Sequence, residues 1–263
     1  MTGETIIERN GYHLFVKQIN NYPTRKNPVL IFLHDSWGCV EIWEDFPEKL
    51  AAISEMNLLL YDRRGYGKSS PFGINKRTNY YLHEEADELL LLIDRLEIET
   101  AVLYGHSDGA TIALIAASRY PKRITGLVLE GAHSFIEESG KDAVRASAER
   151  AKQTNLLKSL ERFHGDKTPE LFRLWHETWL DEHFADWTIV PMLKNITCPV
   201  LAFQGVADEF GTVEQLNILK KNISSPVTIK EIGHAAHTPR KENRAETMAF
   251  IEPFFRPDSP RLT

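Results

Sequence analysis

Five apolar stretches of this chain run on continuously instead of alternating with polar residues: VLIFLH (29–34), NLLLYD (57–62), AVLYG (101–105), TGLVLEG (125–131) and VLAFQG (200–205). A strand with one wet face alternates; a strand buried on both faces does not. These runs therefore predict a mostly parallel central sheet with helices on both faces. The intervening sequence supplies the helices. Leu82, Ala86, Leu89, Leu90, Ile93 and Leu96 fall at three- and four-residue steps and form one apolar stripe. The small residues of 110–120 suit close packing on a sheet, and 239–255 is again helix-like. Strand followed by helix, repeated, is an α/β pattern. Near the start, ETIIERN and YHLFVKQIN alternate about Asn10-Gly11, which predicts an antiparallel hairpin at one sheet edge.

From Phe135 to Trp187 no strand-like run occurs. The segment is charged and helix-favouring, then aromatic in ELFRLWHETWL, and reads as a helical cap seated on the sheet. The expected organisation is a core over 1–134, a cap over 135–188 and the rest of the core over 189–263. Leu171, Trp175 and Trp179 stand at helical spacing, which favours packing of cap on core over substrate contact. The tail after Pro257 reads as loose.

Composition excludes several classes. The 31 basic and 37 acidic residues give a net charge of −6 and are interspersed, which argues against nucleic acid as a partner. No apolar run approaches the roughly 18 residues of a membrane span. The opening MTGETIIERN lacks the basic and apolar stretches of a signal peptide. Cys39 and Cys198 form no disulfide or metal framework. The expectation is a cytoplasmic monomer or weak homodimer that acts on a small molecule, with no membrane or nucleic-acid partner.

Within GHSDG (105–109), Ser107 follows a buried run and precedes a helix. That context lifts a serine Oγ above the sheet edge on a strained turn. The flanking Gly105 and Gly109 are required because a Cβ would collide with neighbouring elements. A serine hydroxyl needs a base held by a carboxylate, and both belong on loops after later strands. Asp208 stands three residues past Gly205, with Glu209 as an alternative acid. His234 follows Gly233 after another apolar run, with His237 as an alternative base. The His-x-x-His spacing has no further ligands nearby, so no metal is expected. Backbone N–H groups of Asp108 and of Ser36, in HDSWG (34–38), are the candidate oxyanion donors. His34 reads as a hydrogen-bonded scaffold residue. LYDRRGYGKSS (60–70) lacks phosphate-loop spacing and reads as a turn anchored by Asp62 and Arg63 or Arg64.

The motifs HDSWG, DRRGYGKS, GHSDGA, GVADEFGT and GHAAH follow one another across nearly the whole chain. In that order they resemble the α/β-hydrolase superfamily, most closely its capped bacterial members with LE-x-x-H after the sixth strand, here LEGAH. The departures are Ser36 and Ala110, where glycine is common. The resemblance implies an α/β-hydrolase fold and a Ser107–Asp208–His234 triad that needs no cofactor. The leading expectation is a serine hydrolase cleaving a small carboxylic ester, thioester or lactone through an acyl-serine. Alternatives are a triad-dependent lyase or carbon–carbon bond hydrolase, or a ligand-binding protein with little turnover. Trp37, His133, Trp175 and Trp179 are the candidate substrate contacts.

Overall fold

A computed structural model of the chain describes residues 2–22 and 28–255; the tail after Pro257 lies outside them. Its strands are β1 (Thr2–Arg9), β2 (Tyr12–Ile19), β3 (Val29–Leu33), β4 (Leu58–Tyr61), β5 (Ala101–His106), β6 (Ile124–Glu130), β7 (Val200–Gly205) and β8 (Val227–Ile232). They form one sheet in the order β1-β2-β4-β3-β5-β6-β7-β8. β1 and β2 form the antiparallel hairpin, with Gly11 at a φ of 85° in its turn, and β2 is also antiparallel to β4. From β4 onward every pairing is parallel.

The helices are α1 (Phe46–Ser54), α2 (Tyr81–Arg95), α3 (Asp108–Arg119), α4 (Glu138–Gln153), α5 (Leu156–His164), α6 (Thr168–Leu180), α7 (Glu214–Asn222), α8 (Pro239–Glu242) and α9 (Arg244–Phe255). Two apolar layers follow from strand alternation. Ile31 and Leu103 face a layer with α2, α3 and α7. Leu30, Phe32, Val102 and Tyr104 face the opposite layer with α1 and α9. The helix expected over 239–255 is divided at Asn243. Its amide donates to the Gly233 carbonyl at 2.7 Å and its Oδ1 accepts from the Glu246 N–H at 3.4 Å, so it caps α9 instead of continuing α8.

Helices α4, α5 and α6 are inserted between β6 and β7, and a lone antiparallel bridge between Phe135 and Thr188 closes the neck of this insertion. Lys167, at the α5–α6 corner, donates to the carbonyls of Tyr66, Gly67 and Ser69 at 3.3, 2.6 and 2.5 Å. His164 accepts from the Gly67 N–H at 2.9 Å and donates to the Trp37 carbonyl at 2.9 Å. Leu171 and Leu174 pack on Tyr66 and Phe72. Among the described residues, no helix is long and apolar enough to cross a membrane, and Cys39 and Cys198 are free and buried.

A buried ion pair joins the end of β6 to α8. Arg240, in α8, donates from Nη1 to Glu130 Oε2 at 2.8 Å and from its backbone N–H to Oε1 at 2.9 Å. Tyr104 donates to the same carboxylate at 3.1 Å, and the guanidinium lies over the Trp43 ring at 4.4 Å. Burial pushes the Glu130 carboxyl up, but the Arg240 charge and hydrogen bonds more than offset this and hold it below its ordinary value. Removing one partner strands a buried charge. Arg240→Leu is expected to lower unfolding free energy by about 3–5 kcal/mol, measured by urea denaturation. A loss under about 1 kcal/mol would show that the pair behaves like an exposed one.

Candidate active site

The carboxyl ends of the parallel strands lie side by side: Leu33 pairs with Gly105, His106 with Glu130, Glu130 with Phe203 and Gly205 with Ile232. Loops leaving this edge meet over β5, where ligands of open α/β sheets collect. Ser107 sits between β5 and α3 with φ 55° and ψ −120°, a conformation rare for a side-chain-bearing residue. A Cβ at Gly105 would lie 2.5 Å from the Cα of Ala110, and one at Gly109 would overlap the Leu33 carbonyl. The turn is therefore packed too closely for any residue but glycine on either side. The Ser107 N–H donates to the Glu130 carbonyl at 2.9 Å, and its own carbonyl accepts from Ala110 and Thr111 as α3 begins.

Asp208 meets His237, not His234. His237 Nδ1 donates to the two Asp208 carboxylate oxygens at 2.9 and 3.0 Å, which leaves Nε2 as the basic nitrogen. The Phe210 N–H donates to Asp208 Oδ1 at 2.9 Å and fixes the carboxylate. Burial pushes the His237 ring down, but the Asp208 charge and hydrogen bond outweigh it, so the ring is held above its ordinary value. The same pairing holds Asp208 low despite its burial. His234 is exposed, in a left-handed turn with φ 51° immediately after β8. The chain then passes Ala235 and Ala236 against Gly205, where a Cβ would overlap both alanine carbonyls. Only the next residue, His237, reaches Asp208. Glu242 accepts from the Ala236 N–H and Glu130 holds the Arg240 N–H, so the His237 loop is tied on its carboxyl side. Thr238-Pro239, a helix-start signal read from sequence, marks His237 as the last loop position before α8. Glu209, the alternative acid, is exposed.

The loop after β3 is held by buried polar groups. His34 donates from Nδ1 to the Asp35 carbonyl at 2.8 Å and accepts at Nε2 from the Arg63 N–H at 3.1 Å; burial and the Arg63 charge keep this ring well below its ordinary value. It is a scaffold residue, as expected. Arg63, fully buried, donates to the His34 and Asp35 carbonyls at 3.3 and 2.9 Å. Asp62 anchors its own turn, accepting from the Val40 and Lys68 N–H groups at 2.6 and 2.7 Å. One residue that sequence reasoning passed over bridges the loops. His106 Nδ1 lies 2.9 Å from Asp35 Oδ2, and its Nε2 lies 2.8 Å from the His237 carbonyl oxygen. One ring thus connects the residue beside Ser36 to the loop that carries His237. Asp108 turns its side chain away from the site, accepting from the Tyr81 hydroxyl at 3.2 Å. Its backbone N–H opens α3, where first-turn donors have no intrahelical partner.

A cavity of about 200 Å³ is lined by Ser36, Ser107 and His237, with Trp37, His133, Trp175 and Trp179 in its walls. All four candidate contacts are therefore brought to it. Trp175 and Trp179 also belong to the main core, so packing and lining coincide. Among the described residues no group of His, Cys, Asp or Glu side chains is arranged to hold a metal ion.

Residues 28–172 match the family described as alpha/beta hydrolase fold. The human serine hydrolase BPHL is 27% identical over 175 residues, covering 62% of this chain and 58% of BPHL. The biotin biosynthesis bifunctional protein BioHC of Teredinibacter turnerae is 25% identical over 295 residues, covering 95% of this chain and 49% of BioHC. The chain thus spans about half the length of these relatives. The enol-lactonase from Burkholderia xenovorans superimposes with a TM-score of 0.73 at 20% identity, covering 95% of this chain and 99% of that one. The enzyme MGS-M2 from a deep-sea metagenome gives a TM-score of 0.73 at 20% identity, with 94% and 96% covered. At such identities the structural likeness is one of fold. Matched over more than half its length and built on this sheet, the chain belongs to the α/β-hydrolase fold family.

Proposed function

We propose that the protein is a serine hydrolase that cleaves a small carboxylic ester, thioester or lactone through an acyl-serine. The observation that carries this reading is the Asp208–His237 pair, at 2.9 and 3.0 Å, facing the cavity that also holds Ser107. His237 Nε2 takes the Ser107 proton as Oγ attacks the carbonyl carbon, and Asp208 orients and stabilises the imidazolium. The N–H groups of Ser36 and Asp108 receive the oxyanion, each contributing about 2.7–4 kcal/mol to the transition state. His237 then protonates the leaving alcohol, thiol or alkoxide. Water, deprotonated by the same nitrogen, releases the acid and restores Ser107. Aromatic walls favour an acyl group that is uncharged and largely apolar.

Labelling with a fluorophosphonate probe, read by intact-protein mass, tests the reaction class. Wild-type protein should be labelled on Ser107; Ser107→Ala and His237→Ala should not. On p-nitrophenyl esters both substitutions should lower kcat by on the order of 10⁵–10⁶ and Asp208→Asn by about 10⁴. His234→Ala should stay within about threefold of wild type, as an exposed residue would. A folded wild type that resists labelling sinks the acyl-serine, and an inactive His234→Ala with an active His237→Ala reverses the assignment of the base.

The pH profile supplies a second test. The base must be neutral to act, so kcat/KM should fall as pH drops through the His237 value, which Asp208 holds above the ordinary 6.5 or so. The acid limb should therefore lie above about 6.5, and Asp208→Asn should move it to lower pH. A wild-type limb below about 6 contradicts the pairing.

A further inference from the structure

His133 is 5% exposed and lines the cavity with Ser107 and His237. Its backbone is fixed: the carbonyl accepts from Thr111 Oγ1 at 2.7 Å, and the next residue, Ser134, donates from its N–H to Gln215 Oε1 at 2.8 Å. Its ring is fixed as well, edge-on to Trp179 at 5.3 Å and nearly parallel to His237 at 5.9 Å between centroids. Burial, reinforced by the positive charge His237 can acquire, pushes the ring down to about 4, so at neutral pH one nitrogen donates and the other accepts.

Among the described residues neither His133 ring nitrogen has a protein partner, and neither is fully buried. The ring lines the cavity with its nitrogens unpaired, its Nδ1–Cε1 edge lying beside Gly211. The indole N–H groups of Trp37 and Trp179 are sealed, so those rings offer the cavity only carbon. Glu137 is occupied by Thr212 and Gln215. A held, neutral imidazole is left beside the aromatic walls of a cavity that Lys141, Arg150, Glu209 and Glu242 also line. Ordering such a group there lowers affinity for a plain hydrocarbon chain and raises it for one that carries a matching oxygen.

We propose that His133 is a specificity-determining residue that hydrogen-bonds an oxygen substituent, hydroxyl or oxo, on the third carbon of the acyl chain. This rests on the acyl-serine reading above, which sets the scissile carbonyl beside His237. The two rings lie 5.9 Å apart between centroids, so a chain whose carbonyl carbon sits beside His237 passes His133 within its first few carbons. A hydroxyl serves either ring nitrogen; an oxo group serves only the N–H.

The test compares kcat/KM for hexanoyl, 3-hydroxyhexanoyl and 3-oxohexanoyl thioesters of N-acetylcysteamine, in wild type, His133→Leu and His133→Gln. Wild type should prefer an oxygenated chain over hexanoyl by about tenfold or more. In His133→Leu the preference should collapse to about one, and His133→Gln, which keeps a donor and an acceptor, should retain part of it. The hydroxy and oxo arms identify which oxygen is read. A purely structural His133 would slow all three thioesters alike, leaving the ratio unchanged in His133→Leu; that result, or a wild-type ratio near one, overturns the proposal. If no thioester is turned over in a Ser107-dependent way, the hydrolase reading fails by itself. Calorimetry with hexanoate and 3-hydroxyhexanoate then decides: tighter binding of the hydroxy acid, lost in His133→Leu, upholds recognition, and equal binding ends it.

Discussion

Between the end of β3 and the start of α3 there is room for a hydrogen atom but not for a methyl group. A side chain at 109 would overlap the Leu33 carbonyl, and one at 105 would strike the first turn of the helix. The sheet and α3 can approach this closely only because both positions are glycine, and the approach forces Ser107 to a φ of 55°. The remaining features accommodate that turn. The helix start leaves its first N–H groups without intrahelical partners, β3 ends beside it, and the later loops converge on the same edge.

Convergence alone does not place side chains to within a few tenths of an ångström. That task falls to polar groups buried in the loops. His106 joins Asp35 to the His237 carbonyl, Arg63 holds the loop after β3 by two carbonyls, and Glu130 holds the start of α8. Each connects segments far apart in sequence, and each has a charged or hydrogen-bonded neighbour that limits the desolvation penalty of burial, with Arg63 Nε and Nη1 and Arg240 Nε left without a hydrogen-bond partner.

The sheet was legible because strands buried on both faces leave an unmistakable trace, as β3 and β5 do, with every residue buried. Ser107 and Asp208 were legible because glycine spacing and strand ends are local signals. The base was not. His234 has the more familiar position after a glycine, but its left-handed backbone, with φ 51°, follows from how two alanines cross Gly205, and that is tertiary information. The Glu130–Arg240 pair was equally hidden, since its members are 110 positions apart and each alone reads as a surface charge. Asn243 concealed a helix break because its capping depends on Gly233, ten residues earlier.

The Lys167 ammonium bears on how a ligand gets in. All of its donors are spent on the Tyr66, Gly67 and Ser69 carbonyls, and His164 adds two further ties beside it. Lifting the inserted helices as a unit would strip a half-buried cation of every partner at once. Opening by that route is costly, whereas the exposed side chains of Arg150 and Glu209, which edge the cavity, can shift without breaking any of those bonds. Exposed rotamers exchange in picoseconds to nanoseconds, whereas domain openings take microseconds to milliseconds. A rim of exposed side chains can rearrange on the faster clock.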